Sequence, residues 1–536
     1  MSQPLVLIIL DGWGIAPPGP GNAITLAKTP NFTKFIAAYP HGQLTASGEA
    51  VGLPHSEVGN SETGHINLGA GRIVFQDLPR INMLIADGSF LINPAFKDAI
   101  EHVKNNNSAL HLLGLIGAGG VHSSLEHLFA LLRLAKNENV KQVWLHLFTD
   151  GRDSPPTSAG IYLEKTQTIC QQLGIGQFAT LIGRYYAMDR DLRWERIQKA
   201  YDLLTLGAGN KLANFKQALK LSYENGKTDE FLEPVVLNEN GLVKDNDAVI
   251  FFNFRIDRPR ELTKAFVLPN FENMAAKSCS FDPYAEKYGL KQFECAPGSS
   301  SFKRNKILKN LFFVTMTEYE KNLPTHIAYP PDTVKLPLAR ILSEEGLRQI
   351  HISETEKERF VTYYFDGQKE DPYPGEDWKE IPSLKVATYD LKPEMSALQV
   401  KEEVIKALQS GTYNFITVNF ANPDMVGHTG VLSAGIKACE VVDQCLGEVV
   451  NTVQSLNGIS IITADHGNVE EMIDLATGEI NTEHSNNPVP FIIVHPDPNL
   501  SGKTLAKGIL ADVAPTILAL YGINIPESMT GRNLLS

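Results

Sequence analysis

Three short apolar runs in the sequence each end in residue types that bind divalent metals. The runs and the residues that follow them are Leu5–Leu10 with Asp11, Phe415–Phe420 with Asp424 and His428, and Ile459–Thr463 with Asp465 and His466. Short β-branched runs closed by turn residues predict strands that are buried on both faces of a parallel sheet. In open α/β sheets, ligands bind beyond the carboxyl ends of the strands, which is where these side chains fall. The sequence therefore predicts a metal site assembled from distant parts of one chain.

The length and net charge of the chain limit which classes of protein it can belong to. The 536 residues suffice for two to four domains at roughly 150 residues each. The 48 basic and 61 acidic residues give a net charge of −13, which argues against a nucleic-acid or anionic-membrane binder. The five cysteines form no CxxC pair, and no apolar run approaches the ~20 residues of a membrane span or resembles a signal peptide. We predict a soluble, cytoplasmic protein without nucleic-acid or membrane partners.

The metal-type residues lie near both ends of the sequence, so the two ends must share one fold if these residues converge. We therefore predict a discontinuous α/β domain formed by residues 1–76 and 312–536, with a second α/β domain, residues 77–311, inserted through two linkers. The stretch Glu272–Lys309 shows no recognisable site and is predicted to be surface elaboration. The predicted strands of the inserted domain are 110–116, 143–148 and 248–254, and its clearest helices are 124–135 and 193–206.

Two candidate metal sites can be built from these residues. Asp424 and His428 stand four residues apart, which places both on one face of a helical turn opened by Pro423. Mixed carboxylate and imidazole ligation suits manganese or zinc, with magnesium as an alternative where water fills the coordination sphere. Each residue alone is equally well explained as a turn or cap residue, so the prediction depends on their joint position. The first candidate site is Asp424, His428 and His484, and the second is Asp11, Asp465 and His466 beside a nucleophile.

Ser61 is the candidate nucleophile. It lies in the segment Gly59–His65, where small residues let a phosphate approach and a helix start offers free N–H groups to an oxyanion. A metal beside Ser61 would lower the pKa of its hydroxyl. The alternative is that Ser61 is a helix N-cap. His65, one turn later, is predicted to have a structural or supporting role.

Arginines in the predicted inserted domain lie beside turn-forming residues. They occur in the segments Thr149–Asp153, Gly183–Arg190 and Asn253–Arg258. Guanidinium groups bind carboxylate and phosphate bidentately, so such a cluster suits a small molecule that carries both groups. The alternative is that each arginine pairs with a neighbouring aspartate on a solvated surface.

Three motifs together resemble one known family. The motifs are Leu10–Gly14, Gly59–His65 and Thr463–Asn468, and the family is that of cofactor-independent phosphoglycerate mutases in the alkaline phosphatase superfamily. The resemblance extends over nearly the whole chain and implies an alkaline-phosphatase-like domain that binds two divalent ions. Manganese is expected first, with magnesium or zinc as alternatives. By this resemblance one ion would be bound by Asp424, His428 and His484, and the other by Asp11, Ser61, Asp465 and His466.

The resemblance also implies a reaction. A monomer would interconvert 3-phosphoglycerate and 2-phosphoglycerate in glycolysis and gluconeogenesis, without 2,3-bisphosphoglycerate. Ser61 would carry the phosphoryl group, and Asp153 would transfer protons, with His122 as the alternative. A metal-dependent phosphatase or a phosphopentomutase of the same superfamily remains the alternative function. The implied substrate-binding residues are His122, Arg152, Asp153, Arg184, Arg190, Arg255, Arg258 and Lys357.

Overall fold

The computed structural model describes residues 3–273, 301–497 and 505–536. In chain order the strands are β1 (Leu5–Leu10), β2 (His41–Thr45), β3 (Leu110–Ile116), β4 (Val143–Thr149), β5 (Gln177–Gly183), β6 (Asn210–Lys211), β7 (Val235–Val236), β8 (Ala248–Phe251), β9 (Phe312–Thr317), β10 (His326–Tyr329), β11 (Gln349–Glu354), β12 (Glu376–Ile381), β13 (Phe415–Phe420), β14 (Ile459–Thr463), β15 (Val489–Val494) and β16 (Gly508–Ile509). The α-helices are α1 (Ala23–Leu26), α2 (Pro30–Ala38), α3 (Ser61–Ala70), α4 (Asp77–Ala86), α5 (Pro94–Asn106), α6 (Leu125–Asn137), α7 (Ala159–Leu173), α8 (Arg184–Ala187), α9 (Trp194–Leu206), α10 (Phe215–Glu224), α11 (Arg260–Val267), α12 (Leu338–Glu344), α13 (Ala397–Ser410), α14 (Asn422–Gly427), α15 (Leu432–Ser455) and α16 (Val513–Leu520).

The chain folds into two compact units, each built on one eight-stranded sheet flanked by helices. Unit 1 comprises residues 1–79 and 332–536, and unit 2 comprises residues 80–331. Both are α/β, as the sequence predicted. The second boundary lies 20 residues beyond the predicted position, after residue 331 instead of 311. The reason is that β9 pairs with β8, and β10 with β9, so both strands extend the sheet of unit 2.

The sheet of unit 1 brings the three apolar runs side by side. Its strand order is β12-β11-β13-β1-β14-β15-β2-β16, and the strands from β12 to β14 are parallel. The runs form β1, β13 and β14 with the predicted bounds, and every residue in them is buried. Leu10 is in register with Phe420, and Ile9 with Thr463. The residues that follow these strands therefore emerge at one edge of the sheet.

The sheet of unit 2 has the order β10-β9-β8-β3-β4-β5-β7-β6 and is parallel except where β5 meets β7. The predicted strands are β3, β4 and β8, and the predicted helices are α6 and α9. β8 ends at Phe251, three residues before the end of its apolar run. Beyond the strand, the side chain of Asn253 accepts the Leu115 N–H of β3 at 2.9 Å, and the Phe254 N–H donates to His122 O at 2.9 Å.

Part of the stretch predicted as surface elaboration belongs to the core of unit 2. Phe302 is buried against Phe271 and Tyr201, and buried Arg304 donates to Ala265 O at 3.1 Å. The prediction is therefore wrong for Ser301, Phe302 and Arg304, while 274–300 lie outside the described residues. Within the part of the chain that the structure describes, no helix is both long and apolar enough to cross a membrane.

Candidate active site

Ser61 begins helix α3, and the chain around it fixes its position. The side chain of Asn60 caps the helix by accepting a hydrogen bond from the Thr63 N–H at 2.9 Å. Because Asn60 has the capping role, the alternative of Ser61 as the N-cap is wrong. Every residue of α3 except Glu62 is buried, and Ser61 is 6% exposed. The serine hydroxyl therefore lies at the positive end of a buried helix, where negative charge is stabilised.

Lys357 connects Ser61 with two carboxylates. Its Nζ donates to Ser61 Oγ, Asp11 Oδ1 and Asp424 Oδ2, each at 2.7 Å. His466 Nε2 lies 3.0 Å from the same serine hydroxyl. Lys357 follows β11 in a short 3₁₀ turn and is 3% exposed. Burial favours the neutral amine, but the two carboxylates outweigh it and raise the pKa of Lys357 above its usual range, so the buried side chain remains an ammonium.

Asp424, His428 and His484 form the first of the two predicted metal-binding groups. Pro423 opens α14, and His428 follows one turn later with its Nε2 3.3 Å from Asp424 Oδ1. His484 Nε2 lies 3.2 Å from the same oxygen and 3.0 Å from His428 Nε2. The structure thus brings these three side chains together, and their binding of a metal stays a prediction.

Asp11, Asp465 and His466 form the second predicted group. His466 Nε2 lies 3.3 Å from Asp465 Oδ2 and 3.7 Å from Asp11 Oδ1. The potential ligand atoms of these three residues all lie within 4.8 Å of one another. His466 forms a second set of the same spacing with Asp424 and His484. His466 therefore belongs to both clusters, whereas the sequence assigned it to one.

The donor set and its charge fit divalent cations. Burial, together with the neighbouring carboxylate of Asp465, raises the pKa of Asp11 to about 7. Burial lowers the pKa of His466 to about 4, which leaves its imidazole neutral and able to ligate. Three carboxylates and three imidazoles, which are the groups that would ligate an ion, lie around the ammonium of Lys357. Nitrogen and oxygen donors in this mixture suit manganese or zinc.

Two asparagines that the sequence analysis did not single out support the carboxylates. Asn419 Nδ2 donates to Asp11 Oδ2 at 2.7 Å and lies 3.0 Å from His65 Nε2. Asn468 Nδ2 donates to Asp424 Oδ1 at 2.8 Å. Asn419 could have been found, because it is a polar residue inside an otherwise largely apolar strand. Asn468 offered no signal beyond its closeness to the metal-type residues.

Glu470 joins three loops of the site and was also missed. Its Oε2 accepts the N–H groups of Gly14 at 3.0 Å and Asn468 at 2.9 Å. Its Oε1 accepts the hydroxyl of Ser485 and the side-chain amide of Asn487. A Cβ atom at Gly14 would lie 2.2 Å from the carboxyl carbon of Glu470, so only glycine fits there. This buried carboxylate therefore holds the loops that carry the predicted metal ligands, as supporting residues of metal sites do.

Arg184 anchors the predicted substrate-binding residues of unit 2. It begins α8, is 2% exposed, and its Nη1 donates to Asp150 Oδ1 at 2.6 Å and to Asp153 Oδ2 at 2.5 Å. Burial opposes ionisation of Asp153, but the hydrogen bond from Arg184 outweighs it and lowers the pKa of Asp153. His122 Nε2 lies 3.7 Å from Asp153 Oδ2. The two candidates for proton transfer therefore lie side by side.

Asp257 contacts two further arginines of this cluster and His122. Its Oδ2 accepts from Arg190 Nη1 at 2.8 Å, and its Oδ1 lies 3.3 Å from Arg255 Nε and 3.6 Å from His122 Nδ1. Burial, followed by the charge of Arg184, lowers the pKa of His122 to about 4. His122 is therefore neutral near pH 7. The alternative that each arginine pairs with an aspartate is thus observed for several of them, within one cluster.

A cavity of about 340 Å³ opens beside these arginines. Its wall includes two arginines outside the predicted set, Arg193 and Arg196, which both pair with the buried Asp189. Arg152 is 55% exposed and forms only a loose contact with an acidic neighbour. A concave site rich in guanidinium groups suits a small anion. The arginines that line the cavity are Arg152, Arg184, Arg190, Arg193, Arg196 and Arg258.

Relatives with similar sequences decide the family. The 2,3-bisphosphoglycerate-independent phosphoglycerate mutase of Chloroflexus aggregans is 49% identical, and the alignment covers 99% of this chain and 98% of the relative. The mutase of the same name from Clostridium beijerinckii is also 49% identical, with 100% and 99% of the two chains covered. The chain belongs to the 2,3-bisphosphoglycerate-independent phosphoglycerate mutase family. Residues 81–321 match the family model for the BPG-independent PGAM N-terminus.

A solved structure agrees with this membership. The crystal structure of Leishmania mexicana phosphoglycerate mutase at low cobalt concentration matches with a TM-score of 0.56 and 29% identity, covering 99% of this chain and 98% of that one. The predicted family is confirmed, and the placement in the alkaline phosphatase superfamily stays a prediction. As a member of this mutase family the chain is an isomerase that depends on divalent metal.

Proposed function

We propose that the chain interconverts 3-phosphoglycerate and 2-phosphoglycerate through a phosphoserine on Ser61, independently of 2,3-bisphosphoglycerate. The observation that carries the proposal is the contact of Ser61 Oγ with Lys357 Nζ at 2.7 Å inside a buried group of carboxylates and imidazoles. A serine hydroxyl at a helix start, beside an ammonium, is suited to accept a phosphoryl group.

We assign the two predicted groups to two divalent ions, manganese first. Bound ions lower the pKa of the serine hydroxyl and neutralise charge on the phosphoryl oxygens. The donor set described above supports this assignment, in which His466 lies between the two groups. One ion is assigned to Asp424, His428 and His484, and the other to Asp11, Ser61, Asp465 and His466.

The residues of unit 1 perform the phosphoryl transfer. The hydroxyl of Ser61 loses its proton, and Oγ attacks phosphorus. One P–O bond forms to the enzyme while the P–O bond to glycerate breaks, and the released glycerate oxygen takes up a proton. Lys357 remains an ammonium beside Ser61 Oγ, and its positive charge offsets the negative charge of the phosphoryl oxygens as the group is transferred. In the second half, the other hydroxyl of glycerate attacks the phosphoserine, and Ser61 is released.

The residues of unit 2 bind the glycerate and move its protons. Guanidinium groups suit the carboxylate of glycerate, and the arginine-lined cavity supports this role. Asp153 is ionised and borders Arg184, so we assign to it the proton exchange with the glycerate hydroxyls. His122, neutral and adjacent, is the alternative. The substrate-binding set is His122, Arg152, Asp153, Arg184, Arg190, Arg255, Arg258 and Lys357.

The test is an isomerisation assay with the purified chain. Formation of 2-phosphoglycerate is measured without 2,3-bisphosphoglycerate, then after chelation, and again after addition of Mn²⁺. We expect activity, its loss on chelation, and its return. Dependence on the bisphosphate, or indifference to the chelator, would refute the proposal. Release of inorganic phosphate in place of 2-phosphoglycerate would indicate a phosphatase, and turnover of a pentose phosphate a phosphopentomutase.

The proposal extends to the setting of the enzyme. We propose that it acts in glycolysis and gluconeogenesis in the cytoplasm, as a monomer, on phosphoglycerate alone and without nucleic-acid or membrane partners. Light scattering coupled to size-exclusion chromatography tests the monomer, for which a mass near 59.0 kDa is expected.

A further inference from the structure

Away from Ser61, unit 1 contains another group of metal-binding residue types. His351 lies in β11, Asp366 follows the helical turn Phe360–Tyr364, and Glu376 begins β12. All three side chains are fully buried. The group shares no residue with the candidate active site.

The spacing of the polar atoms fits one ion. His351 Nδ1 lies 3.4 Å from Glu376 Oε1 and 3.7 Å from Asp366 Oδ1. A tetrahedral zinc ion with bonds of roughly 2.0–2.1 Å holds its ligands roughly 3.4 Å apart. One potential ligand atom from each residue lies within 4.8 Å of the other two. His351 Nδ1 also lies 2.6 Å from Val361 O, so an ion bound to Nδ1 requires this carbonyl oxygen to shift and become a ligand as well.

The charge of the group calls for a cation. Within residues 3–273, 301–497 and 505–536, neither Asp366 nor Glu376 forms an ion pair with a lysine or arginine. Glu376 accepts hydrogen bonds from Trp378 Nε1 and the Tyr373 N–H, both at 2.7 Å. Both oxygens of Asp366 are buried without a hydrogen-bond partner. Buried charges are normally paired or bound to metal, so a group of this kind is incomplete without a positive charge.

A divalent ion balances this group better than a proton does. A proton shared by Asp366 and Glu376 would neutralise only one of two negative charges in a site enclosed by the rings of Phe365 and Phe415. When His351 Nδ1 is protonated, its N–H donates to the backbone carbonyl of Val361 at 2.6 Å. Metal binding displaces such a proton and leaves that carbonyl oxygen as an additional donor.

We propose that His351, Asp366 and Glu376 bind one divalent cation, zinc or manganese, in a structural site of unit 1. The site is closed to solvent, as structural metal sites are, and it joins β11, β12 and the segment that ends at Asp366. It is independent of the phosphoryl transfer assigned to Ser61.

The test counts bound metal in the full chain. Wild-type and Asp366→Asn chains are stripped with chelator, reloaded with Zn²⁺ alone or Mn²⁺ alone, desalted, and analysed for metal per chain by inductively coupled plasma mass spectrometry. The wild-type chain should hold one equivalent more than the variant, and its melting temperature should rise more when the ion is added. Asp443→Asn is the matched control, because this buried carboxylate is satisfied by Asn31 and Phe32, and it should keep the full metal content.

The difference between the two chains counts this site alone, so it does not depend on how many ions the site at Ser61 binds. Equal metal content in wild-type and Asp366→Asn chains would overturn the proposal. The two carboxyl groups would then share a proton, and the neutral asparagine would keep or raise the melting temperature. If Asp366→Asn does not fold, His351→Gln leaves both carboxylates in place and should also lose one equivalent, whereas an unchanged count would again contradict the proposal.

Discussion

The candidate metal centre of unit 1 and the arginine cluster of unit 2 are built in opposite ways. In unit 1, carboxylates and imidazoles follow adjacent parallel strands, are largely buried, and lie 2.7 to 3.7 Å from their neighbours. In the cluster of unit 2, the buried Arg184 is accompanied by exposed arginines such as Arg152 and Arg190. The side chains of the buried centre contact one another directly, whereas the exposed guanidinium groups border solvent. We expect losses in unit 1 to stop the phosphoryl transfer and losses among the arginines of unit 2 to weaken substrate binding.

The largest effect is expected at the serine itself. Ser61→Ala should lower the rate of 2-phosphoglycerate formation by roughly ten-thousand-fold, because it removes the atom that accepts the phosphoryl group. Ser460→Ala is the matched control, since this serine is also buried in unit 1 but lies within β14, and its activity should stay near wild type. An active Ser61→Ala enzyme would remove the basis for placing the chemistry in unit 1.

The second-largest effect is expected from a substitution of Glu470, the carboxylate that holds the loops of the candidate metal site. Glu470→Gln replaces an oxygen acceptor with an amide that cannot accept all four hydrogen bonds, so the loops carrying the predicted ligands should loosen. We expect affinity for Mn²⁺ to fall by roughly 10- to 100-fold, measured by isothermal titration calorimetry. Glu471→Gln, its neighbour, should leave the affinity unchanged. If both variants bound Mn²⁺ as tightly as wild type, the inference that Glu470 positions the loops with the predicted metal ligands would be wrong.

A smaller effect is expected in unit 2. Arg184→Lys keeps the charge but loses the planar fork that reaches Asp150 and Asp153. The KM for 3-phosphoglycerate should rise by roughly tenfold, with a smaller change in kcat. Arg193→Lys, an exposed arginine of the same cavity outside the predicted set, should change KM less. If kcat fell while KM stayed constant, the proposed division of roles between the units would be contradicted.

The smallest effect on the reaction is expected for Glu261, whose substitution changes how the free energy of unfolding depends on pH. Burial raises the pKa of Glu261 to about 8, and its Oε2 lacks a hydrogen-bond partner while Oε1 accepts from the Leu192 N–H. Because the folded pKa is raised, the contribution of Glu261 to stability is present below its unfolded pKa and is lost as pH rises through about 8. Glu261→Gln should therefore lose about 3 kcal/mol less unfolding free energy than wild type between about pH 5 and pH 8, because most of the stability that comes with the rise of the pKa to about 8 is lost in that window. Urea unfolding at both pH values measures this, and identical losses would count against it.

The local pattern of apolar residues in the sequence was sufficient to predict much of the fold. The runs that became β1, β13 and β14 were placed at their observed bounds, because fully apolar β-branched segments of this length fit buried parallel strands. The sequence did not indicate that β9 and β10 would join the sheet of unit 2. Their pairing depends on β8, about 60 residues earlier in the chain, and such pairing leaves no local trace.

In the candidate site, too, some residues could be predicted from the local sequence, whereas others depend on contacts between distant segments. Asp11, Asp424 and Asp465 could be found because each follows a strand. The surroundings of Lys357 in the sequence indicate an exposed lysine, and only the family resemblance marked it. Its burial depends on carboxylates supplied by distant segments, as does the role of Glu470, which no spacing predicted.

The strand order of unit 1 has a consequence for synthesis on the ribosome. β1 emerges about 400 residues before either of its neighbours, β13 and β14. At roughly 5–20 residues per second, this apolar strand waits for roughly 20–80 seconds while unit 2 is completed. During that interval the strand has neither of its neighbours, and an unpaired hydrophobic strand of this kind is exposed to aggregation.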